Sequence, residues 1–441
     1  MHFSAAILSQ GDEIVLGQTL NTNSKWLAER LMERGILPIE HVSLPDDATA
    51  LAEAFRRLAR RVDLILCTGG LGPTDDDLTR AALADALDEP LVEDPDALEQ
   101  IRAWFAGRQR PMPDLNRVQA LRPRSAQSLE NRNGTAPGLA ARLTVESHVC
   151  DVLCLPGPPR ELFPMFDAHV APRLTPPAEA HVRAWTVHTI GLGESDVATR
   201  LAKAPTGNLM DRSRPTLVGT TASGGVVSAR CRATATTPAQ ADADLAATVA
   251  QVRNLLGTYA FADGPGAGGH PHEALPTAVL ASMRSQGRSL TVVESCTGGL
   301  LGSMIADIPG ASDIFRGGAI TYANDLKTSL ARVPEDLMHA HGAVSREVAA
   351  AMAIGGLDAF RASDCLAITG VAGPDGGTPA KPVGTVWIAH AHRGSTTDVR
   401  RFVMPSDRRS VREWAARAAL AILWTHLAGT PRLHLLRQAP D

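Results

Sequence analysis

With two tyrosines in 441 residues and an aromatic fraction of 4%, the chain is short of the stacking platforms on which proteins bind single-stranded nucleic acid. It has no basic excess either: 43 Lys and Arg stand against 47 Asp and Glu, a formal net charge of −4, with the two signs interspersed. Both features argue against a nucleic-acid partner. No window approaches the roughly 18 apolar residues of a membrane span, and Met1 to Glu13 has no cationic stretch before its very short apolar run. The expectation is a cytoplasmic protein without a membrane partner. Six cysteines are too few for a disulfide framework at this length, and Cys150 and Cys154 lack the second Cys or His pair a zinc site needs. Cys67, Cys150, Cys154, Cys231 and Cys365 are expected as buried free thiols.

What is present is an ordinary globular composition, 44% apolar and 20% charged, in a chain long enough for two or three domains. In the first region short apolar runs alternate with amphipathic stretches, the sign of strands and helices taking turns in a mostly parallel sheet. Ser4 to Leu8 predicts a strand and Asn23 to Gly35 a helix closed by glycine. Val62 to Cys67 predicts a buried strand, followed by a glycine-rich turn at 68–74 and a helix from Leu78 to Leu87. Val149 to Leu155 repeats that plan, ending in Pro156-Gly-Pro-Pro159. The Pro-rich segment near 172–185 and the glycine-rich 263–270 bracket a connector in which Val226 to Ala233 reads as a strand and Ala239 to Leu256 as a helix. The last region predicts strands at 290–293, 319–321 and 365–368, then a final helix from Ser406 or Asp407 to Leu427 with Val411, Trp414, Ala418, Ile422 and Leu423 on one face. Residues after Ala428 look like a tail.

Three segments of that last region carry chemistry. Glu294-Ser-Cys-Thr-Gly-Gly299 sets a hydroxyl and a thiol where a buried strand gives way to a helix, a corner that can bind an anion or steady an oxyanion. Helix capping by Ser295 or Thr297 is the bland alternative. Tyr322 and Lys327 follow another strand end and converge on one site only if the helix between them starts near Asn324. A serine needs a base to become a nucleophile, and a lysine serves as one only if burial depresses its pKa from about 10.4. Cys296 is the rival nucleophile, since a thiolate attacks more readily and a helix N-terminus lowers its pKa. Finally, the glycines of Thr369 to Thr378 let backbone approach a ligand closely, or simply form a hairpin. In the first region the turn after Cys67 offers N–H donors to a phosphate, and Asp75-Asp76-Asp77 beside it would repel one unless a divalent cation lies between. Asp46 and Glu13 are further candidate ligands.

These motifs, in order, resemble the CinA family. Residues 294–299, Tyr322-x-Asn-x-x-Lys327, His341-Gly-Ala-Val-Ser345, 370–377 and Lys381-Pro-Val-Gly-Thr-Val386 match its C-terminal domain, a nicotinamide mononucleotide deamidase. Gly11 to Gly17, Asn21 to Asn23, 69–79, 133–138 and 155–159 are similar to its molybdopterin-binding-like N-terminal domain. The implied architecture is α/β throughout: a three-layer molybdopterin-binding-like domain at 1–175, a small α+β connector at 182–262 and an α/β deamidase domain at 270–428. The resemblance implies hydrolysis of the carboxamide of nicotinamide mononucleotide to nicotinic acid mononucleotide and ammonia. Ser295, Tyr322 and Lys327 would be catalytic, and Cys296, Thr297, Gly298, Gly299, Gly373, Gly376, Gly377 and Thr378 would bind substrate, with no cofactor. For the N-terminal domain it implies an ADP-ribose pyrophosphatase, with Gly69, Gly70, Gly72, Thr74 and Asn23 binding substrate and Asp76, Asp77, Asp46 and Glu13 holding Mg²⁺ or a similar divalent cation. The partners would be these small nucleotides and a second copy of the chain, a homodimer suggested by the apolar face of the last helix. Gln10 departs from the family, which commonly has an apolar residue there, as do Ala323 and Leu326. Competing interpretations are a pterin- or nucleotide-binding protein of molybdenum-cofactor chemistry, and a non-catalytic interaction protein of competence or DNA damage.

Overall fold

The computed structural model describes residues 1–178, 181–265, 271–404 and 407–440. Two compact units emerge, one formed by Met1–Arg183 with Thr234–Asp242 and the other by Ala184–Ala233 with Ala243–Asp441.

In the first unit the strand Leu64–Thr68 is buried along its whole length. Its side chains alternate between two cores, as the period of two dictates. Leu64 and Leu66 pack with Leu27, Leu31, Leu162 and Phe166, whereas Ile65 and Cys67 pack with Leu51, Phe55, Leu58 and Leu83. A strand buried on both faces needs helices on both, so the sheet is the middle layer of three. Its order is Leu37–Leu44, Ser4–Gln10, Leu64–Thr68, His148–Leu155, Gly138–Val145, Gln127–Leu129, the first four mutually parallel and each of the last two antiparallel to the strand before it. Gln10, Thr68 and Leu155 thus end side by side. Helices begin where sequence chemistry provides caps: Asn21 accepts the Ser24 N–H ahead of Thr22–Met32, and Asp47 accepts those of Thr49 and Ala50 ahead of Ala48–Ala59.

The connector holds more than one strand and one helix. Four strands run in the order Thr216–Ser223, Val226–Ala235, His181–Ile190, Ala260–Pro265, the first two and the last two paired antiparallel, accompanied by helices Glu194–Ala202 and Pro238–Leu256. Residues 179–180 and 266–270 of the expected linkers, and Ser406, lie outside the described residues.

The last region is a five-stranded sheet in the order Phe315–Ile320, Leu290–Glu294, Asp364–Gly370, Thr385–His392, Asp398–Val403. The first three are parallel and the rest antiparallel. Along Asp364–Gly370, Leu366 and Ile368 meet helices Pro271–Ser285 and Arg408–Leu427, while Cys365 and Ala367 meet Arg346–Phe360. Asp407 caps the final helix by accepting the Ser410 N–H.

Two expectations about this end of the chain are corrected. Val411, Ile422 and Leu423, expected on an exposed face, are buried inside their own domain, with Trp414 and Ala418 half-buried against the same core. The segment after Ala428 is not a loose tail either. Leu435 is buried, Phe402 pairs with Gln438, and the Arg400 guanidinium donates to the carbonyls of Pro431 and Leu433. All six cysteines are free and buried, and no helix among the described residues is long and apolar enough to cross a membrane.

Candidate functional site

Parallel pairing of Leu290–Glu294 with Phe315–Ile320 brings two strand ends together, and the Thr321 N–H donates to the Glu294 carbonyl at 2.7 Å. The helix Asn324–Ser329 starts just beyond, where the sequence required it, and turns Lys327 inward. Lys327 is 2% exposed, with Nζ 3.1 Å from Ser295 Oγ and 2.9 Å from the Thr321 carbonyl oxygen. Burial lowers its pKa, because a desolvated ammonium is penalised. A hydroxyl and an amine of reduced basicity within hydrogen-bond reach form a nucleophile and base pair.

Cys296 is placed beside them and disarmed. Burial, with the Glu294 charge adding to it, pushes its thiol up to about 12, so the lowering expected from the helix N-terminus does not occur. Glu294 also takes up the helix N-terminus that would have favoured a thiolate. Its buried carboxylate accepts the N–H groups of Gly299, Leu301 and Gly302 at 3.1, 3.0 and 2.8 Å, occupying the helix N-terminus from within. Gly298 N–H meanwhile donates to the Ser295 carbonyl. Gly298 and Gly299 are thus committed inside the turn and are not the oxyanion donors that the motif suggested. Thr297 is fully buried, its carbonyl held by Arg412.

The cleft over Ser295 has a volume of about 280 Å³ and is lined also by Cys296, Tyr322, Asn324, Lys327, Thr369, Gly373, Asp375, Gly376 and Arg408. Thr297, Gly298, Gly299, Gly377 and Thr378 are not among its lining residues. Thr378 instead closes a turn with Lys381, so that part of the loop is the plain hairpin its flanking strands suggested. Tyr322 is 55% exposed, and its hydroxyl accepts from Arg408 rather than touching the Ser295–Lys327 pair. Arg408, which also donates to the Gly373 carbonyl at 2.7 Å, had no motif to announce it: it lies in the first turn of the final helix, 81 residues beyond Lys327.

The N-terminal strand ends enclose a second cleft of about 610 Å³, lined by Asn23, Gly69, Gly70 and Gly72 and by the carboxylates of Glu13, Asp46, Asp76, Asp77 and Glu161, with no Lys, Arg or His among the described residues. Thr74 is not among the lining residues. Asp77 accounts for this: its carboxylate accepts Gly72 N–H at 2.7 Å, Thr74 N–H at 2.8 Å and the Thr74 hydroxyl at 2.5 Å. Two donors expected to face a phosphate face Asp77. A Cβ on Gly72 would lie 2.4 Å from Asp77 Oδ2 and would have to displace that carboxylate from the turn. Arg80 braces the turn from behind, donating to the carbonyls of Leu71 and Gly72 at 2.6 Å each. Among the described residues no three His, Cys, Asp or Glu side chains are grouped as a protein-only metal cage requires. Asp46 and Asp76 still face the cleft, and Mg²⁺ commonly takes only one or two carboxylates beside substrate phosphates.

Comparison with known proteins follows these divisions. Residues 272–427 match the family model described as "CinA C-terminal domain", residues 6–176 the "Probable molybdopterin binding domain", and residues 185–262 the "Damage-inducible protein CinA KH domain". The chain is 40% identical over 438 residues to a protein of Symbiobacterium thermophilum named for competence-damage induction, covering 96% of this chain and 99% of that one. To a "CinA-like protein" of Akkermansia muciniphila it is 38% identical over 422 residues, 94% and 95% of the two chains. A solved competence/damage inducible protein of Agrobacterium tumefaciens is 34% identical with a TM-score of 0.35, covering 36% of this chain and 95% of that one.

Proposed function

The chain belongs to the CinA family, and from that premise we propose that its C-terminal domain hydrolyses the carboxamide of nicotinamide mononucleotide. The observation carrying this proposal is the buried contact between Lys327 Nζ and Ser295 Oγ. Neutral Lys327 takes the hydroxyl proton as Ser295 Oγ bonds to the carboxamide carbon. The tetrahedral intermediate collapses by breaking its C–N bond, and the proton returns from Lys327 to the departing nitrogen as ammonia leaves. Water then gives a proton to the same lysine as its oxygen bonds to the ester carbon, and the lysine returns that proton to Ser295 Oγ as the ester C–O bond breaks and the carboxylic acid leaves, ionising in water. No step needs a metal or cofactor. Incubation of the purified protein with nicotinamide mononucleotide should yield nicotinic acid mononucleotide and ammonia in equal amounts, with or without a chelator. No ammonia over a buffer control would rule the proposal out.

Among the described residues Arg408 is the one cationic side chain lining this cleft besides Lys327, which suits it to the substrate's phosphate. Arg408→Ala is expected to raise KM roughly tenfold or more while kcat falls less. Loss of kcat at constant KM would instead assign Arg408 to the developing oxyanion.

For the N-terminal cleft we propose a diphosphate ester of the ADP-ribose type, carried with Mg²⁺ or a similar ion. Five carboxylates without a cationic side chain repel a bare anion, and a divalent cation between them would remove that repulsion. Asp46 and Asp76 would hold the ion, which supplies charge neutralisation when bound. Since Asp77 ties its own turn together, Asp77→Asn should loosen that turn and cut cation-dependent ADP-ribose cleavage roughly tenfold or more, leaving ammonia release within about twofold. Equal loss of both activities would contradict two independent sites.

A further inference from the structure

Gln10 ends the first strand at the floor of the N-terminal cleft, 3% exposed. Its amide is fixed at both ends. Nε2 donates to Asp46 Oδ1 at 2.7 Å and to the Asp76 carbonyl oxygen at 2.8 Å, while Oε1 accepts from the buried Thr79 hydroxyl at 2.5 Å. Only the NH₂ end can face Asp46 and Asp76, because both groups there are pure acceptors. The fit is close enough to dictate the neighbouring backbone: a Cβ on Gly70 would lie 1.7 Å from Gln10 Oε1.

A carboxylate oxygen and a backbone carbonyl oxygen converging on one point are what a hard divalent ion seeks. Here they converge on an amide nitrogen. The amide satisfies the two acceptors as hydrogen bonds do, but it brings no net charge to a cleft with five carboxylates. Asp77 cannot stand in for Asp46, because both its oxygens are held by its own turn.

We infer that Gln10 is a built-in competitor for a divalent cation between Asp46 and the Asp76 carbonyl, so that the cleft holds such an ion weakly unless a phosphate ligand adds further oxygens. The inference rests on the cation-assisted role proposed for this cleft. An apolar residue at position 10 would leave both acceptors open to the ion.

The test is Mn²⁺ alone, titrated into the full chain without nucleotide and followed through the paramagnetic resonance signal of the free ion. Gln10→Val leaves the Thr79 hydroxyl its 2.9 Å contact with the Gly69 carbonyl, and Asp46 its bond from the Asp12 N–H. It should bind Mn²⁺ roughly tenfold more tightly than the unchanged chain, and adding Asp46→Asn should cancel the gain. Gln10→Ser should move affinity in the same direction and takes over if circular dichroism shows the valine variant unfolded. Affinities of these variants within about threefold of the unchanged chain overturn the inference. ADP-ribose cleavage with Mg²⁺ is scored separately: if the unchanged chain cleaves none, the proposed N-terminal activity falls, while the Mn²⁺ titration still decides the role of Gln10.

Discussion

Replacing Lys327 by alanine is expected to lower ammonia release from nicotinamide mononucleotide by about a thousandfold, roughly 4 kcal/mol of barrier, within the usual range for a general base. Among the described residues its Nζ is the amine bonded to Ser295 Oγ, placed to accept the proton and return it. Lys327→Arg should not rescue the activity, because a guanidinium stays protonated at any usable pH. The pH profile gives an independent sign. Lysine acts as base only when neutral, so kcat/KM should rise with pH, with a midpoint below the ordinary lysine value because burial lowers the pKa. Stability should follow the same direction. Between the lowered folded value and the ordinary unfolded one, the unfolded chain binds more protons, so stability rises with pH there. A profile flat through that window, or activity surviving in Lys327→Ala, would remove the lysine from the mechanism.

The second large effect concerns stability. Asp364, 0% exposed, begins the strand whose far end lines the C-terminal cleft. Arg288 pairs with both its oxygens, and His390 Nε2 lies 2.8 Å from Oδ1. Burial opposes its charge, yet the bonds from His390 and Arg288 outweigh that and hold the carboxyl well below the usual range. Across a ring contact of 4.5 Å between His390 and His426, a second pair repeats the arrangement. His426 lies 2.8 Å from Asp398, whose carboxyl is drawn down to about 2 against its own burial, by His426 and then Arg400. Asp364→Ala leaves a buried guanidinium and imidazole without their acceptor and should cost about 3–5 kcal/mol, read as a fall in the urea midpoint. Activity per folded molecule should be unchanged, since the strand places Asp364 about 20 Å from its cleft end.

The unaltered protein should also lose stability in two stages on acidification. Burial lowers the pKa of His390, so the unfolded chain gains protons first as pH falls through about 6.5. The depressed carboxyls of Asp364 and Asp398 then lose their contribution as pH falls below about 4. An unchanged urea midpoint in Asp364→Ala would mean that the cluster contributes nothing net.

How much of this was legible in the sequence depended on whether the signal was local. The run Leu64 to Cys67 is apolar at every position and Leu290 to Val293 is broken only by Thr291, which suits a strand covered on both faces, and the glycine turns after them mark where strands end. Ser295 and Lys327 could be grouped because each follows a strand end in motifs that resemble one family, and the pairing of those two strands brings them together. Side chains that turn back on their own segment were not legible. Glu294 and Asp77 belong to motifs that suggest ligand binding, but each spends its carboxylate on nearby backbone N–H groups, and spacing does not distinguish an inward from an outward rotamer. Arg408 was hidden for a different reason: it reaches the cleft only through the packing of the final helix on a sheet formed far earlier in the chain. The apolar face of that helix looked available to a second subunit because periodicity records burial without saying by what.

The most direct measurement is ammonia release from nicotinamide mononucleotide by Ser295→Ala and Cys296→Ala, side by side with the unchanged chain and each checked for folding by circular dichroism. The buried hydroxyl and amine predict that Ser295→Ala falls to background while Cys296→Ala, which removes a thiol held at about 12, keeps activity within a few-fold. Near-normal turnover in Ser295→Ala together with loss in Cys296→Ala would contradict the assignment and make the thiol the nucleophile.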